Sequence, residues 1–177
     1  MSWSKPSSNL ETGPEEFTFK KSAGLKESQL ILRAVRTADL NAIAALEAEA
    51  YPFPWSYKNF SDSIDSGYDF WVLEGSAEIL AYALVMWLPD EAHLLNVTVR
   101  PDCQGQGLGR QFLDWILADT QARGARSLML EVRPSNPSAV ALYVSMGFTQ
   151  IGQRKGYYPS WNNSREDAWV LAKTLLA

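Results

Sequence analysis

Arg100-Pro-Asp-Cys-Gln-Gly-Gln-Gly-Leu-Gly-Arg110 is the stretch that decides how this chain is read. It follows the apolar run Leu95-Asn-Val-Thr-Val99 and opens into a segment carrying Phe112, Leu113, Ile116 and Leu117 at helical spacing, so it joins a strand to a helix. Gly105, Gly107 and Gly109 have no Cβ, which lets successive N–H groups turn toward one anion while the helix adds the positive end of its dipole. The ligand this predicts is a pyrophosphate. The spacing is neither the dinucleotide fingerprint Gly-x-Gly-x-x-Gly nor a Walker loop, since no Lys-Ser/Thr follows the glycines. Glycines alone leave a tight, empty turn equally open.

Working outward, a first strand is expected over 30–35, then a helix capped by Thr37 with Leu40, Ile43, Ala44 and Leu46 inward, and a second helix after Ser56. Between these helices, Ala50-Tyr-Pro-Phe-Pro-Trp-Ser56 holds two prolines that forbid a continuous helix and put aromatic side chains on a stiff turn. Strands over 68–74, 78–87 and 93–99 read as an antiparallel meander with turns at Gly75-Ser76 and Pro89-Asp90. Downstream, the pattern predicts a helix over 108–123 stopped by Gly124, a strand over 127–133 and a helix over 136–146 closed by Gly147. A strand over 148–153, a polar loop and a strand over 167–175 complete the chain. This order predicts an α/β domain with a mixed sheet of about seven strands and helices on its faces.

Composition bounds the function. With 177 residues, 46% of them apolar, the chain suits one domain over 30–177, while 1–29, rich in Ser, Lys, Glu, Pro and Gly, reads as an extension in which Phe17 and Phe19 are candidate docking residues. A net charge of −4 argues against direct nucleic-acid binding and suits a cleft that receives an amine or basic peptide. One Cys and one His leave no cluster for a metal, and the lone Cys103 fits a reducing cytoplasm. Neither a signal peptide nor a membrane-spanning run is visible.

Three residues carry candidate chemistry. In Ser127-Leu-Met-Leu-Glu-Val-Arg133, alternation puts Leu128, Leu130 and Val132 on one face and Met129 and Glu131 on the other. Under a covering helix, burial would raise the pKa of Glu131 into the range of a general base; an ion pair with Arg133 or Arg126 is the alternative. Asn136 and Tyr143 lie about two turns apart on one short helix and share a side of it. Read singly, Asn136 is a helix cap and Tyr143 a core residue.

Together, Gln104-Gly-Gln-Gly-Leu-Gly109, Glu131-Val-Arg-Pro-Ser-Asn136 and Ala141-Leu-Tyr-Val-Ser-Met-Gly-Phe148 resemble the signature of the GCN5-related N-acetyltransferases (GNAT). Pro52-Phe-Pro-Trp-Ser56, Leu130-Glu-Val-Arg133, Tyr157-Tyr-Pro159 and Arg165-Glu-Asp-Ala168 narrow the resemblance to the RimI branch, which acetylates the N-terminal alanine of bacterial ribosomal proteins. It covers roughly residues 30–176.

The resemblance implies the GNAT fold, mostly antiparallel, and acetyl transfer from acetyl-CoA to the α-amine of a ribosomal protein. It implies Glu131 as general base through water and Tyr143 as the acid for the CoA thiolate. Val97, Thr98 and Val99 would give backbone contacts to acetyl-CoA, and a bulge there an oxyanion donor. Gln104, Gly105, Gln106, Gly107, Leu108, Gly109 and Arg110 would hold the pyrophosphate, and Asn136 the pantetheine. Phe53, Trp55, Tyr157 and Tyr158 would flank the acceptor, with Trp161 available to join them. A small amine or a lysine as acceptor, and a non-catalytic CoA-binding or ribosome-associated module, remain the alternatives. Three features depart from the branch: Gly105 replaces a basic residue, Pro137 follows Asn136 where Ala is usual, and the extension has no counterpart in short members.

Overall fold

Seven strands form one sheet in the order β1-β2-β3-β4-β5-β7-β6, antiparallel throughout except for the β4–β5 pair. The structure, a computed structural model, describes residues 30–175; the extension 1–29, with Phe17 and Phe19, lies outside them. In chain order the elements are β1 (Ile31–Ala34), α1 (Leu40–Ala50), α2 (Tyr57–Asp65), β2 (Asp69–Gly75), β3 (Glu78–Trp87) and β4 (Glu91–Val99). There follow α3 (Leu108–Ala122), β5 (Ser127–Val132), α4 (Pro137–Ser145), β6 (Thr149–Pro159) and β7 (Arg165–Thr174).

Alternation along β3 shows why helices cover both faces. Ala81, Ala83 and Val85 join a core with Phe112, Trp115 and Ile116 of α3 and Tyr143 of α4, whereas Tyr82 and Leu84 join Leu40, Ile43 and Leu46 of α1 and Phe60 of α2. Each fully buried side chain of this size contributes about 1.5–3 kcal/mol over exposure. Trp115, which sequence periodicity did not single out, meets Trp71 edge to face at 5.1 Å, and Phe60 stacks on Phe70 at 5.7 Å.

Helix entries follow local chemistry. The Ser56 hydroxyl accepts the Asn59 N–H at 3.3 Å while Asn59 Oδ1 accepts the Ser56 N–H at 2.9 Å, a reciprocal cap on α2. Ser56→Ala is therefore expected to cost about 1 kcal/mol and to lower Tm by about 2–4 °C in a thermal melt. Thr37 does not cap α1 as expected. It sits in a 3-10 turn, Thr37–Asp39, and Asp39 takes the Arg36 N–H at 2.7 Å, so the α-helix begins at Leu40. The carboxylate at Asp39 is also fixed by Arg33 at 2.7 Å, which leaves it better placed than a hydroxyl.

The second departure is β6. It runs past the expected end at residue 153 to Pro159, because β7 starts at Arg165 and pairs with it as far as Pro159↔Arg165. Arg154, Lys155 and Gly156 read as loop residues, yet β6 is an edge strand whose register shifts at two places, and such positions tolerate glycine and charge.

Candidate active site

The site begins where two parallel strands part. β4 and β5 pair only from Glu91↔Ser127 to Leu94↔Leu130. Leu84 of β3 faces Asn96 while Val85 faces Leu94, which makes Leu95 an extra residue, a bulge in β4. The expected bulge at Val97–Val99 is thus corrected to Leu95. Its cause is a phase change: Leu94 and then Val97 and Val99 all pack toward α3, and one added residue is needed to bring both sets to the same face. Backbone groups of residues 95–99 that would otherwise pair with β5 are left open to a ligand.

The gap is a cavity of about 290 Å³, lined by residues 94–97 on one wall and 130–133 on the other. Glu131, Tyr143, Asn136, Val97, Phe53, Trp55 and Tyr158 all line it, so the structure collects these sequence candidates in one place. Tyr157 does not line it: that ring stands edge-on to Tyr158 at 4.9 Å and 5.6 Å from the Arg154 guanidinium.

Among the described residues no helix seals the face of β5 that carries Glu131, and Glu131 borders the cavity. Its side chain is 12% exposed and accepts a hydrogen bond from Arg154 Nε at 2.9 Å, in place of the ion pair with Arg133 or Arg126. Arg154 comes from the extended β6, which periodicity ended too soon. Arg133 pairs instead with Glu166 at 3.3 Å and lies over the Tyr158 ring at 4.2 Å.

Tyr143 is buried against Phe148, ring centroids 5.7 Å apart, and still borders the cavity. Burial, reinforced by the nearby Tyr51 and Tyr158, pushes its phenol well above the usual range, so it stays protonated. Asn136 caps α4, its Oδ1 accepting the Ala139 N–H at 3.1 Å, and the residue also lines the cavity. Pro137 occupies the first turn of α4.

Phe53 lies 5.0 Å from Trp161, which is 67% exposed, and joins the two loops at the cavity mouth. Trp55 is turned inward, 5.6 Å from Phe60. Burial raises the Tyr158 phenol, with the Glu131 charge and Tyr157 adding to the shift.

Residues 104–110 lie outside the cavity lining, beyond the C-terminal end of β4. Gly105 and Gly107 have φ of +72° and +82°, conformations that other residues rarely adopt. Gly107 is the N-cap of α3 and offers no side chain to the first-turn N–H groups, which leaves them for an anion. Gln104 donates to the Val99 carbonyl and Gln106 to the Asp102 carbonyl, each at 2.9 Å, so these side chains shape the loop. Leu108 is buried in the core, and Arg110 is hydrogen-bonded to Ser145 of α4. Cys103 is buried, which pushes its thiol up and leaves it a poor nucleophile.

Sequence reasoning missed a polar cluster beneath the cavity. Glu47 of α1, only 2% exposed, accepts hydrogen bonds from Trp55 N–H at 3.1 Å, Asn96 Nδ2 at 3.3 Å, Thr98 Oγ1 at 3.3 Å and the Tyr82 hydroxyl. Thr98 also reaches Tyr51, whose hydroxyl donates to the Val97 carbonyl at 3.4 Å. The available signal was a Glu four residues after the buried Ile43, on the inward stripe of α1.

With this geometry in hand, comparison with known proteins is specific. The model of the acetyltransferase (GNAT) family matches residues 40–148. The chain is 40% identical over 141 residues to [ribosomal protein bS18]-alanine N-acetyltransferase of Escherichia coli K12, covering 80% of this chain and 95% of that protein. It is 37% identical over 142 residues to the protein of the same name from Haemophilus ducreyi, covering 80% and 98% respectively. The crystal structure of ribosomal-protein-S18-alanine N-acetyltransferase from Escherichia coli aligns with a TM-score of 0.78 at 38% identity, over 84% of this chain and 96% of that one.

Proposed function

The chain belongs to the acetyltransferase (GNAT) family, and from that premise we propose that it moves the acetyl group of acetyl-CoA to the N-terminal α-amine of a ribosomal protein beginning with alanine. The observation that carries this reading is the cavity at the β4–β5 parting, where Glu131, Tyr143 and Asn136 meet the aromatic loop of Phe53 and Trp55. The likeness to the bS18-alanine N-acetyltransferases supports the choice of acceptor. A reducing cytoplasm, where ribosomes are made, is the matching compartment.

In this reading residues 105–109 hold the CoA pyrophosphate through backbone N–H groups, and the open edge of β4 at Val97–Val99 binds the pantetheine beside Asn136. The α-amine has a pKa near about 8, so much of it arrives protonated at neutral pH. Glu131 takes that proton through water. The free amine attacks the thioester carbonyl, forming the N–C bond, and the oxyanion is met by a β4 backbone N–H at the parting, a donor type worth about 3 kcal/mol. Collapse breaks the C–S bond; Glu131, having passed the first proton on to solvent water, takes the second from the nitrogen, while the Tyr143 O–H hydrogen-bonds the leaving thiolate, which gains its proton from solvent. The acetyl group passes directly from sulfur to nitrogen with no enzyme-bound intermediate.

The roof made by Phe53, Trp161 and Tyr158 favours a narrow, extended N-terminus. Mass spectrometry of products from a panel of short peptides, with lysine-bearing and polyamine controls, checks the acceptor. Peptides with N-terminal Ala are expected to carry acetate on the α-amine. Preferred transfer to a side chain or small amine would replace this acceptor, and CoA binding without any transfer would leave only a binding module.

A further inference from the structure

The Glu47 carboxylate has no part in the chemistry above, yet it joins the loop of Phe53 and Trp55 to the β4 wall of the cavity. Glu47 lies on the inward stripe of α1 with Leu40, Ile43 and Leu46, where an apolar residue would simply extend the core. Instead, a carboxylate is buried there with no Lys, Arg or His paired to it among the described residues. It is held only by neutral donors, from three sources: the loop N–H of Trp55, Tyr82 of β3, and Asn96 and Thr98 of β4. Two oxygens accept four bonds, which fills the lone-pair sites of a carboxylate and leaves none for a substrate.

The partners decide what this arrangement does. Asn96 directly follows the bulge residue Leu95, and Trp55 ends the loop that carries Phe53. Tyr51, joined to the cluster through Thr98, holds the carbonyl of Val97. Glu47, Tyr51, Trp55, Asn96 and Val97 all border the cavity. One carboxylate therefore fixes the acceptor loop against the strand edge on which the thioester is expected to lie.

We infer that Glu47 is a positioning residue for acetyl transfer, setting the distance between the acceptor loop and the bulged edge of β4 through its bonds to Trp55, Asn96, Thr98 and Tyr82. This rests on the acetyltransferase reading of the same cavity. Burial and the Glu47 charge push the Tyr82 phenol far up, which keeps it a donor to the carboxylate. In Glu47→Gln an amide NH2 facing Trp55 N–H and Asn96 Nδ2 would set donor against donor, so it turns to the hydroxyls of Tyr82 and Thr98, which must rotate to accept from it; the charge that draws in all four donors is lost and the clamp loosens.

The test is steady-state kinetics of the full chain with an Ala-terminated peptide, beside CoA affinity by calorimetry and Tm. Glu47→Gln is expected to lower kcat by about tenfold and to raise peptide KM several-fold, since small displacements of a reacting pair are costly. CoA affinity should stay within about twofold, because none of the bonds to Glu47 comes from residues 104–110. Tyr82→Phe and Thr98→Val leave the carboxylate in place; they should show the same pattern to a smaller degree and carry the test if Glu47→Gln does not fold. A lower Tm with unchanged kcat and KM in the folded protein would overturn the inference and leave Glu47 a purely structural residue. A parallel loss of CoA affinity would also overturn it, by reporting a general loosening of the sheet. If the wild-type chain acetylates no amine, the catalytic reading falls first and this one with it.

Discussion

Glu131→Gln is expected to reduce kcat/KM for acetyl transfer by at least about a hundredfold while CoA affinity and Tm stay near wild type. The amide keeps the shape of the side chain and one acceptor for Arg154, but it cannot take a proton from the acceptor amine. The loss should shrink as pH rises through about 8, because more of the α-amine then arrives neutral and has less need of a base. Arg154 is half exposed, so its pairing with Glu131 is screened by water, and Arg154→Ala should change activity far less than loss of the carboxylate. Equal activity of Glu131→Gln and wild type across pH 6–9, by a thiol-release assay, would remove Glu131 from the mechanism.

Which parts of this site were legible in the sequence follows from the range of the signals. The glycine loop, the inward residues of α3 and the alternation that places Glu131 opposite Leu130 are local, and periodicity exposes them. The bulge at Leu95 is local too, written in the phase change between Leu94 and Val97, but a single shifted phase is easily read as an ordinary strand. Other parts depend on pairing across the sheet. Arg154 meets Glu131 only because β6 continues along β7 beyond residue 153, and strand pairing over such an edge overrides the loop-like composition of its residues. Apart from the Trp55 N–H, the donors to Glu47 lie 35 to 51 positions away in the chain, a separation at which no window of sequence connects a carboxylate to its donors. Tyr157 and Tyr158 show the converse limit: the motif names both, and only the folded course of β6, whose register shifts between Arg154 and Tyr158, leaves one of them on the cavity.

Tyr143→Phe is expected to lower kcat by about ten- to a hundredfold with little change in the KM of either substrate. The side chain is buried and packed on Phe148, and removing one hydroxyl leaves the aromatic contacts intact, so the fold should tolerate the change. A phenol whose ionisation is opposed by burial, and next by Tyr51 and Tyr158, remains protonated throughout the working range. Its proton is then always available, but full surrender to a thiolate, a weaker base than tyrosinate, is uphill. The group accordingly acts as a hydrogen-bond donor to the sulfur as charge develops, which places the whole effect in the transition state and hence in kcat. Two consequences separate this from a packing role. The wild-type kcat profile should keep its alkaline plateau up to about pH 10, with no limb from phenol ionisation. Acetyl donors with more acidic thiols, which need less help in leaving, should recover much of the activity lost in Tyr143→Phe. A variant equally slow with every donor would show that the hydroxyl shapes the cavity and does not assist the departing thiolate.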